Sequence, residues 1–454
     1  MGGGLLQLVA YGAQDAYLSG NPQITFWKGL FKRHTNFAME PFRINLTGQA
    51  AWGVKHSALV GRHADLLYST YLEVVLNPQS ITGGTALYNN DGGRLGYNLL
   101  KYVELDIGGQ LIDRLYGEWM FIWDCLSSDT DTGEKLARMV GGTGGWWPTH
   151  VVTAAPNCTN GRPSKGDVKY IPLSFFYTRN PGAALPLIAL QYHEVKINIQ
   201  WNDIKFIAGN FTDKTSFPKD PIQAAVYIDY VYLDTEERRR MAQNSHEYLI
   251  EQTQYNEDKG VTSANNRIDL TFNHPVKELV WVVQPSEYTD CNLAASLQLS
   301  RLRPFTYDWD AVYEQWIQIN GQDRLDRRYG DYFNRVQPYQ HHTGSTNPVV
   351  TRSGQNVGDQ EGRVAQELQN PGMYMYSFAL KPEEHQPSGT CNFSRIDTST
   401  IVVNFGGYDT NNYNNRQDAN IDISPERPWD VRVYAVNYNI LRVMSGMGGL
   451  AYSN

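Results

Sequence analysis

The chain has 454 residues, a formal net charge of −8, 19% charged residues and 12% aromatic ones. It is too rich in aromatic and apolar residues for a disordered or low-complexity chain, and too acidic for one whose main task is to wrap nucleic acid. No apolar run reaches the 18 residues of a membrane helix, so no transmembrane segment is expected.

The N-terminus, MGGGLLQLVAYGAQ, lacks the basic region of a signal peptide, and Leu6 stands where a myristoylation motif needs Ser or Thr. No Gly-Lys-Ser/Thr follows Gly2–Gly4, which excludes a phosphate loop. Alternation with period two begins at Leu72–Leu76 and Tyr102–Ile107, where Val103, Leu105 and Ile107 oppose Glu104 and Asp106. Glu118–Leu126 instead sets Trp119, Ile122, Trp123 and Leu126 on one helical stripe, and Glu134–Val140 is a second short helix. Alternation returns in Glu194–Trp201, Ala225–Leu233, Arg267–Phe272, Leu279–Val283, Gln315–Ile319, Tyr374–Leu380, Thr400–Phe405 and Asp430–Ile440. Each predicts a strand with one buried face. Between them lie long Gly-, Asn- and Pro-rich stretches, Asn77–Gly96, Gly141–Gly166 and Thr343–Gln369, too long for ordinary hairpins. The pattern is all-β with long loops and a few short helices.

An internal repeat organises these elements. Gly109–Trp119 reads GQLIDRLYGEW and Gly321–Tyr332 reads GQDRLDRRYGDY, each after an alternating strand. Gln110 and Gln322 lie 212 residues apart, Tyr116 and Tyr329 lie 213 apart, and a strand followed by Arg-x-Met recurs at Met241 and Met444. Such a period is too long for a solenoid and indicates two related domains in tandem. The predicted division is an N-terminal arm over 1–24, a first domain over 25–243 and a second over 244–454. About eight antiparallel strands in each domain fit sandwich or jelly-roll topology.

Motifs for chemistry are lacking. Cys125, Cys158, Cys291 and Cys391 form no CxxC pair and read as reduced, buried thiols. His341-His342 is an adjacent pair whose side chains would diverge, His193 and His246 read as hydrogen-bonded structural residues, and His56 and His63 flank a turn. No metal or other cofactor is expected. No nucleophile elbow occurs. The acids Asp323, Asp326 and Asp331 sit among Arg324, Arg327 and Arg328, and the pattern recurs at Asp113, Arg114 and Glu118. Both clusters read either as structural ion-pair networks or as subunit-interface pairs. Among the Asn-x-Ser/Thr sequons, Asn157 and Asn210 are the candidate glycosylation acceptors.

Six blocks carry a resemblance: LLQLVAYGAQDAYLSGNPQITFWKGLFKRHTNFAME (Leu5–Glu40), LPLIALQYHEVKI (Leu185–Ile197), HEYLIEQ (His246–Gln252), INGQDR (Ile319–Arg324), QPSGTCNFSRID (Gln386–Asp397) and NYNILRVMSGMGGLAYSN (Asn437–Asn454). In these the chain resembles the major capsid proteins of the nucleocytoplasmic large DNA viruses. Gly141–His150 and Arg301–Glu314 look particular to this chain. The resemblance implies a double jelly roll whose homotrimer forms a pseudo-hexagonal capsomer tiling an icosahedral shell. Neighbouring capsomers, minor capsid proteins and glycans on outer loops would be its partners, with no direct nucleic-acid contact. It implies an N-terminal arm ordered against a neighbour, a place in the virion after synthesis and assembly in the host cytoplasm, and no enzymatic activity. Three other readings stay open. A minor or penton-associated capsid paralogue would differ in virion abundance. A tandem jelly-roll carbohydrate-binding protein would stack sugars on Trp146-Trp147. A glycoside-active enzyme would need two carboxylates converging about 5–10 Å apart in a cleft.

Overall fold

The computed structural model describes residues 2–27, 29, 31–76, 80–81, 84–85, 95–140, 167–203, 222–263, 265–286, 312–344, 373–404 and 428–452. Met1–Phe37 is one compact unit and Ala38–Asn454 another. The smaller unit carries two short helices, α1 (Gly3–Val9) and α2 (Ala13–Ser19).

In the first half of the larger unit the long strands are β1 (Phe37–Asn45), β2 (Lys55–Leu59), β3 (Leu66–Leu76), β4 (Leu100–Ile107), β5 (Gln110–Tyr116), β6 (Asp167–Pro172), β7 (Val195–Trp201) and β8 (Gln223–Leu233). They form two sheets, in the orders β1-β8-β3-β6 and β2-β7-β4-β5. Helices α3 (Gly117–Ser127) and α4 (Thr130–Val140) follow β5, and α5 (Thr235–Gln243) leads into the second half. There the strands are β9 (His246–Val261), β10 (Asn265–Asp269), β11 (Pro275–Pro285), β12 (Glu314–Ile319), β13 (Arg328–Tyr329), β14 (Met373–Ser377), β15 (Ser399–Asn404) and β16 (Trp429–Met444). Their orders are β9-β16-β11-β14 and β10-β15-β12, with β13 and the bridge Gln322–Asp323 both pairing with β12. The second set repeats the first strand for strand, and each set has the order of a jelly roll. The fold is a double jelly roll: two all-β domains in tandem, as the alternation and the repeat predict, with the topology that the resemblance implies.

Local chemistry explains several of these elements. In β7 the buried positions Val195, Ile197, Ile199 and Trp201 alternate with more exposed ones, so one face enters the sandwich. Each repeat opens at a tight hairpin. Gly108-Gly109 and Asn320-Gly321 all have positive φ (63°, 86°, 50° and 76°), the backbone that a two-residue turn between twisted strands requires. The helix expected at Glu118–Leu126 is α3. The strand expected at Arg267–Phe272 stops at Asp269, and that at Tyr374–Leu380 stops at Ser377. Cys125 is buried, Cys391 is half-buried and neither is in a disulfide; Cys158 and Cys291 lie outside the described residues. No helix among the described residues is long and apolar enough to cross a membrane.

The two sheets of the second half enclose one core, with Leu279, Trp281, Val283, Val431, Val433 and Ala435 inside it. The intervening residues of the same strands, Val280, Val282, Tyr434 and Val436, join the core of the first half instead. The β9-β16-β11-β14 sheet is therefore covered on both faces. Accordingly, the first eleven residues of β16 are all buried.

A buried ionic cluster closes the junction around Trp123 of α3. Arg179 lies over its ring at 4.6 Å and Lys277 at 5.8 Å. Glu251 joins these two cations, at 2.9 Å from Arg179 and 2.7 Å from Lys277. The ring of His342 meets Trp123 edge-on. Both His342 nitrogens face carboxylates, Nε2 at 2.9 Å from Glu278 and Nδ1 at 2.9 Å from Glu383. With a carboxylate facing each ring nitrogen, the site favours the doubly protonated, imidazolium form of His342. Burial opposes that charge, but attraction to Glu278 and the hydrogen bonds to Glu278 and Glu383 outweigh it and raise the pKa to about 9.

A folded-state pKa above the ordinary 6.5 contributes stability that is complete below about pH 6.5 and lost as the pH climbs through about 9. The linkage is worth about 3 kcal/mol. Denaturant midpoints of wild type and His342→Gln should therefore differ widely at pH 6.5 and converge by pH 10. A gap that stays constant with pH would mean that His342 is neutral.

Candidate assembly interface

The repeated motif occupies corresponding places in the two jelly rolls, but its surroundings differ. In the first copy it lies against the second half of the chain. Asp113 on β5 is buried and accepts the backbone N–H groups of Thr253, at 3.2 Å, and Arg114, at 2.9 Å. Burial raises its pKa to about 6, against the pull of these N–H groups. Gln252 on β9 donates to the Ile112 carbonyl. Tyr116 stacks on Tyr255 with ring centroids 4.5 Å apart. Arg114 turns to the outer face of its own sheet, donates twice to Glu104 (2.9 and 2.6 Å) and covers the Tyr102 ring at 4.9 Å.

Glu118 makes a buried ionic contact across the junction. It accepts two hydrogen bonds from Arg432 on β16, at 2.7 and 2.6 Å, and one from the Tyr434 hydroxyl at 2.6 Å. The Arg432 and Glu118 side chains are only 8% and 16% exposed. Burial works against the guanidinium, yet Glu118 holds its pKa above the usual arginine value. Gly117 precedes Glu118 because a Cβ there would lie 2.2 Å from the Leu100 carbonyl oxygen and 2.3 Å from that of Tyr97.

The second copy is open. Asp323 accepts from Gln318 at 2.7 Å on the surface. Asp326 is exposed. Arg327 covers the Trp316 ring at 4.4 Å. Asp331, in the place of Glu118, is 56% exposed and pairs only loosely with Arg335, at 3.4 Å. The structure thus brings Asp113 and Glu118 to an internal junction, keeps Arg114 within its own sheet and leaves Asp323, Asp326, Arg327 and Asp331 on the surface. Arg432, Tyr434, Thr253 and Tyr255 stand at the junction without a motif that marks them as its residues. The available signal is Arg432 as the single charged residue within Val431–Val436.

The remaining candidates are dispersed. His193 bonds Gly448 through Nδ1 (2.9 Å), His246 bonds the Met241 carbonyl (2.7 Å) and His56 the Gln49 carbonyl (2.9 Å). His341 bonds the Leu380 carbonyl at 3.1 Å, so the two adjacent histidines do diverge. Among the described residues no group of three or more His, Cys, Asp or Glu is placed to hold a metal ion. Glu278 and Glu383 converge on His342, but with Glu278 and His342 fully buried the pair has no opening for a substrate. Asn157, Asn210, Trp146-Trp147 and Gly141–His150 lie outside the described residues, as does Arg301–Glu314 up to residue 311.

Removing Glu118 strands a buried guanidinium, which typically costs about 3–5 kcal/mol. Glu118→Ala should lower the urea midpoint accordingly, whereas Asp331→Ala should stay within about 0.5 kcal/mol of wild type. Equal effects would contradict the difference between the two copies.

Comparison with known proteins agrees with this architecture. The family described as "Major capsid protein N-terminus" matches residues 25–234, and that described as "Large eukaryotic DNA virus major capsid protein" matches residues 237–352 and 365–449. The major capsid protein of Pyramimonas orientalis virus is 44% identical, and that of Paramecium bursaria Chlorella virus 1 is 38% identical, each over 100% of both chains. The crystal structure of PBCV-1 VP54 superposes with a TM-score of 0.72 at 32% identity, covering 95% of this chain and 100% of that one. With one repeated sandwich, a shared core and matches spanning both halves, the chain belongs to the major capsid proteins of large eukaryotic DNA viruses.

Proposed function

We propose that the chain works by assembly rather than by chemistry, as a homotrimeric capsomer of an icosahedral virion shell. The observation that carries this reading is the strand-for-strand repeat of the jelly roll. Three chains of two similar domains present six similar wedges, so a threefold object can fill a position in a hexagonal lattice, and closed cyclic symmetry satisfies the lateral faces. The reading divides the chain into an arm over 1–24, a first domain over 25–243 and a second over 244–454, and the bounds of the family matches support it. Neighbouring capsomers and minor capsid proteins are the expected partners, and Asn157 and Asn210 the expected acceptors of glycans. Synthesis and assembly in the host cytoplasm, and a final place in the virion, follow from the same reading.

An obligate interface of this kind buries upwards of about 2,000 Å² for each pair of subunits. Light scattering or native mass spectrometry of the purified chain should therefore give one species at three times the 51.5 kDa monomer mass. A chain that stays at 51.5 kDa when concentrated would contradict the self-assembling capsomer.

A further inference from the structure

A stacked pair of tyrosines bridges the junction inside the chain. Tyr116 ends β5 of the first jelly roll and Tyr255 lies in β9 of the second. Their ring centroids are 4.5 Å apart and their planes are inclined by 29°. Both residues are half-buried, so small solutes in the surrounding water reach them. Held in one chain, the two rings meet at an effective concentration that free tyrosines do not attain.

Further rings extend the pair in both directions. Tyr102 lies 6.3 Å from Tyr116 on one side. On the other, Tyr434 lies 5.2 Å from Tyr255 and 5.3 Å from Trp119, and Trp119 lies 5.9 Å from Trp123. Tyrosine and tryptophan give up an electron more readily than the other ring side chains, and rings this close pass the resulting hole from one to the next. An oxidising event anywhere along the row therefore has a path to the stacked pair. A phenol must lose its proton as it loses its electron, and the Glu257 carboxylate faces the Tyr255 hydroxyl as an acceptor. Tyr434 is only 1% exposed and its hydroxyl is held by Glu118 at 2.6 Å, so it relays a hole but is too enclosed to swing onto a partner.

We propose that Tyr116 and Tyr255 are a site of oxidative cross-linking, at which a small one-electron oxidant, such as a peroxide-derived or photogenerated radical, joins the two jelly rolls by a dityrosine bond. The oxidant takes one electron from each phenol. Each hydroxyl gives up its proton, that of Tyr255 to Glu257. The two phenoxyl radicals couple through a carbon–carbon bond between ring positions ortho to the oxygens. The hydrogens on those two carbons then move to the oxygens and restore both hydroxyls. In all, the pair loses two electrons and two protons, and the oxidant is reduced by the same two electrons. The stack already sets the rings face to face, so they need only slide across one another. The bond would fasten β5 to β9 and close a long loop of the chain, and a cross-link of that kind stabilises the fold by restricting the unfolded state. Both rings belong to one chain, so the site is independent of the oligomeric state.

The test oxidises the folded full-length chain with persulfate and a photosensitised ruthenium complex, a source of one-electron oxidant. Tryptic digestion and mass spectrometry should then find Leu115–Lys135 joined to Met241–Lys259, two hydrogens short of the separate peptides. Fragment ions should place the link at Tyr116 and Tyr255, and the digest should show the blue fluorescence of dityrosine. Tyr255→Phe keeps a ring in the stack but has no phenol to oxidise, and it should lose this linked pair. Tyr227→Phe removes one phenol of a stack that lies within a single sheet, and it should keep the pair. Circular dichroism before oxidation reports the fold of each variant, and the linked peptides of wild type locate the site without them. Oxidised wild type should melt roughly 5 °C above Tyr255→Phe treated in the same way. Dityrosine formed only at other pairs, or none at all, in a folded wild-type chain would overturn the site. The Tyr116–Tyr255 link without a rise in melting temperature would overturn its action as a fastening of the junction.

Discussion

The burial of one sheet on both faces sets the terms for the rest of the molecule. The β9-β16-β11-β14 sheet presents Trp281, Val431 and Val433 to its own sandwich and Val280, Val282 and Val436 to the neighbouring one. Each fully buried side chain of this size contributes roughly 1.5–3 kcal/mol, so the two jelly rolls are joined through a common core. Such a sheet has no wet face to hold its polar groups, and each must find a partner inside. Arg432 finds Glu118 and Gln284, Asn439 donates to Gln252 at 2.9 Å, and Asn437 accepts from Gln254 at 3.0 Å. Lys277, with no exposed surface, is held by Glu251 and the Pro382 carbonyl.

The sequence revealed strands where physics left it one dry face and one wet face. β4 and β7 alternate cleanly for that reason. It concealed β9 and β1. In β9, HEYLIEQTQYNEDKGV, only Ile250, Gln252 and Val261 are buried, and half-buried polar side chains such as Glu251 and Gln254 pair with other segments, so no apolar period marks the strand. β1 lies open at a sheet edge, carries Pro41 and has little core to face. The double burial of β16 was hidden as well, because its alternate residues enter two cores and periodicity records only that they are apolar. The motif repeat was legible because backbone geometry fixes it, through the paired positive-φ turns and the crowded Gly117. The partners of that motif were not. Glu118 and Arg432 lie 314 residues apart, and nothing local distinguishes a charge that will be buried from one that will stay in water. His342 shows the same limit: its neighbour His341 bonds a surface carbonyl, while the carboxylates that hold His342 charged come from two other segments.

The two copies have diverged in the way their different tasks require. Within one chain the second jelly roll is always beside the first, so the contact forms at high effective concentration and can carry a desolvated pair such as Glu118–Arg432 together with a methionine and valine surface. A face that waits for another molecule must first be stable in water. On the first jelly roll the corresponding sheet face stands in water and carries tyrosines, apolar in body and polar at the tip, with Glu73 and Asp229 among them. The motif face of the second carries arginines already supported by aromatic rings, Arg327 over Trp316 and Arg328 over Tyr332 at 4.4 Å each. Exposed charges of this kind add little to the final stability of a contact, but they speed encounter and select orientation. A fold used twice thus carries two chemistries, a desolvated one where the two copies meet inside the chain and a wetted one on the faces that remain in water.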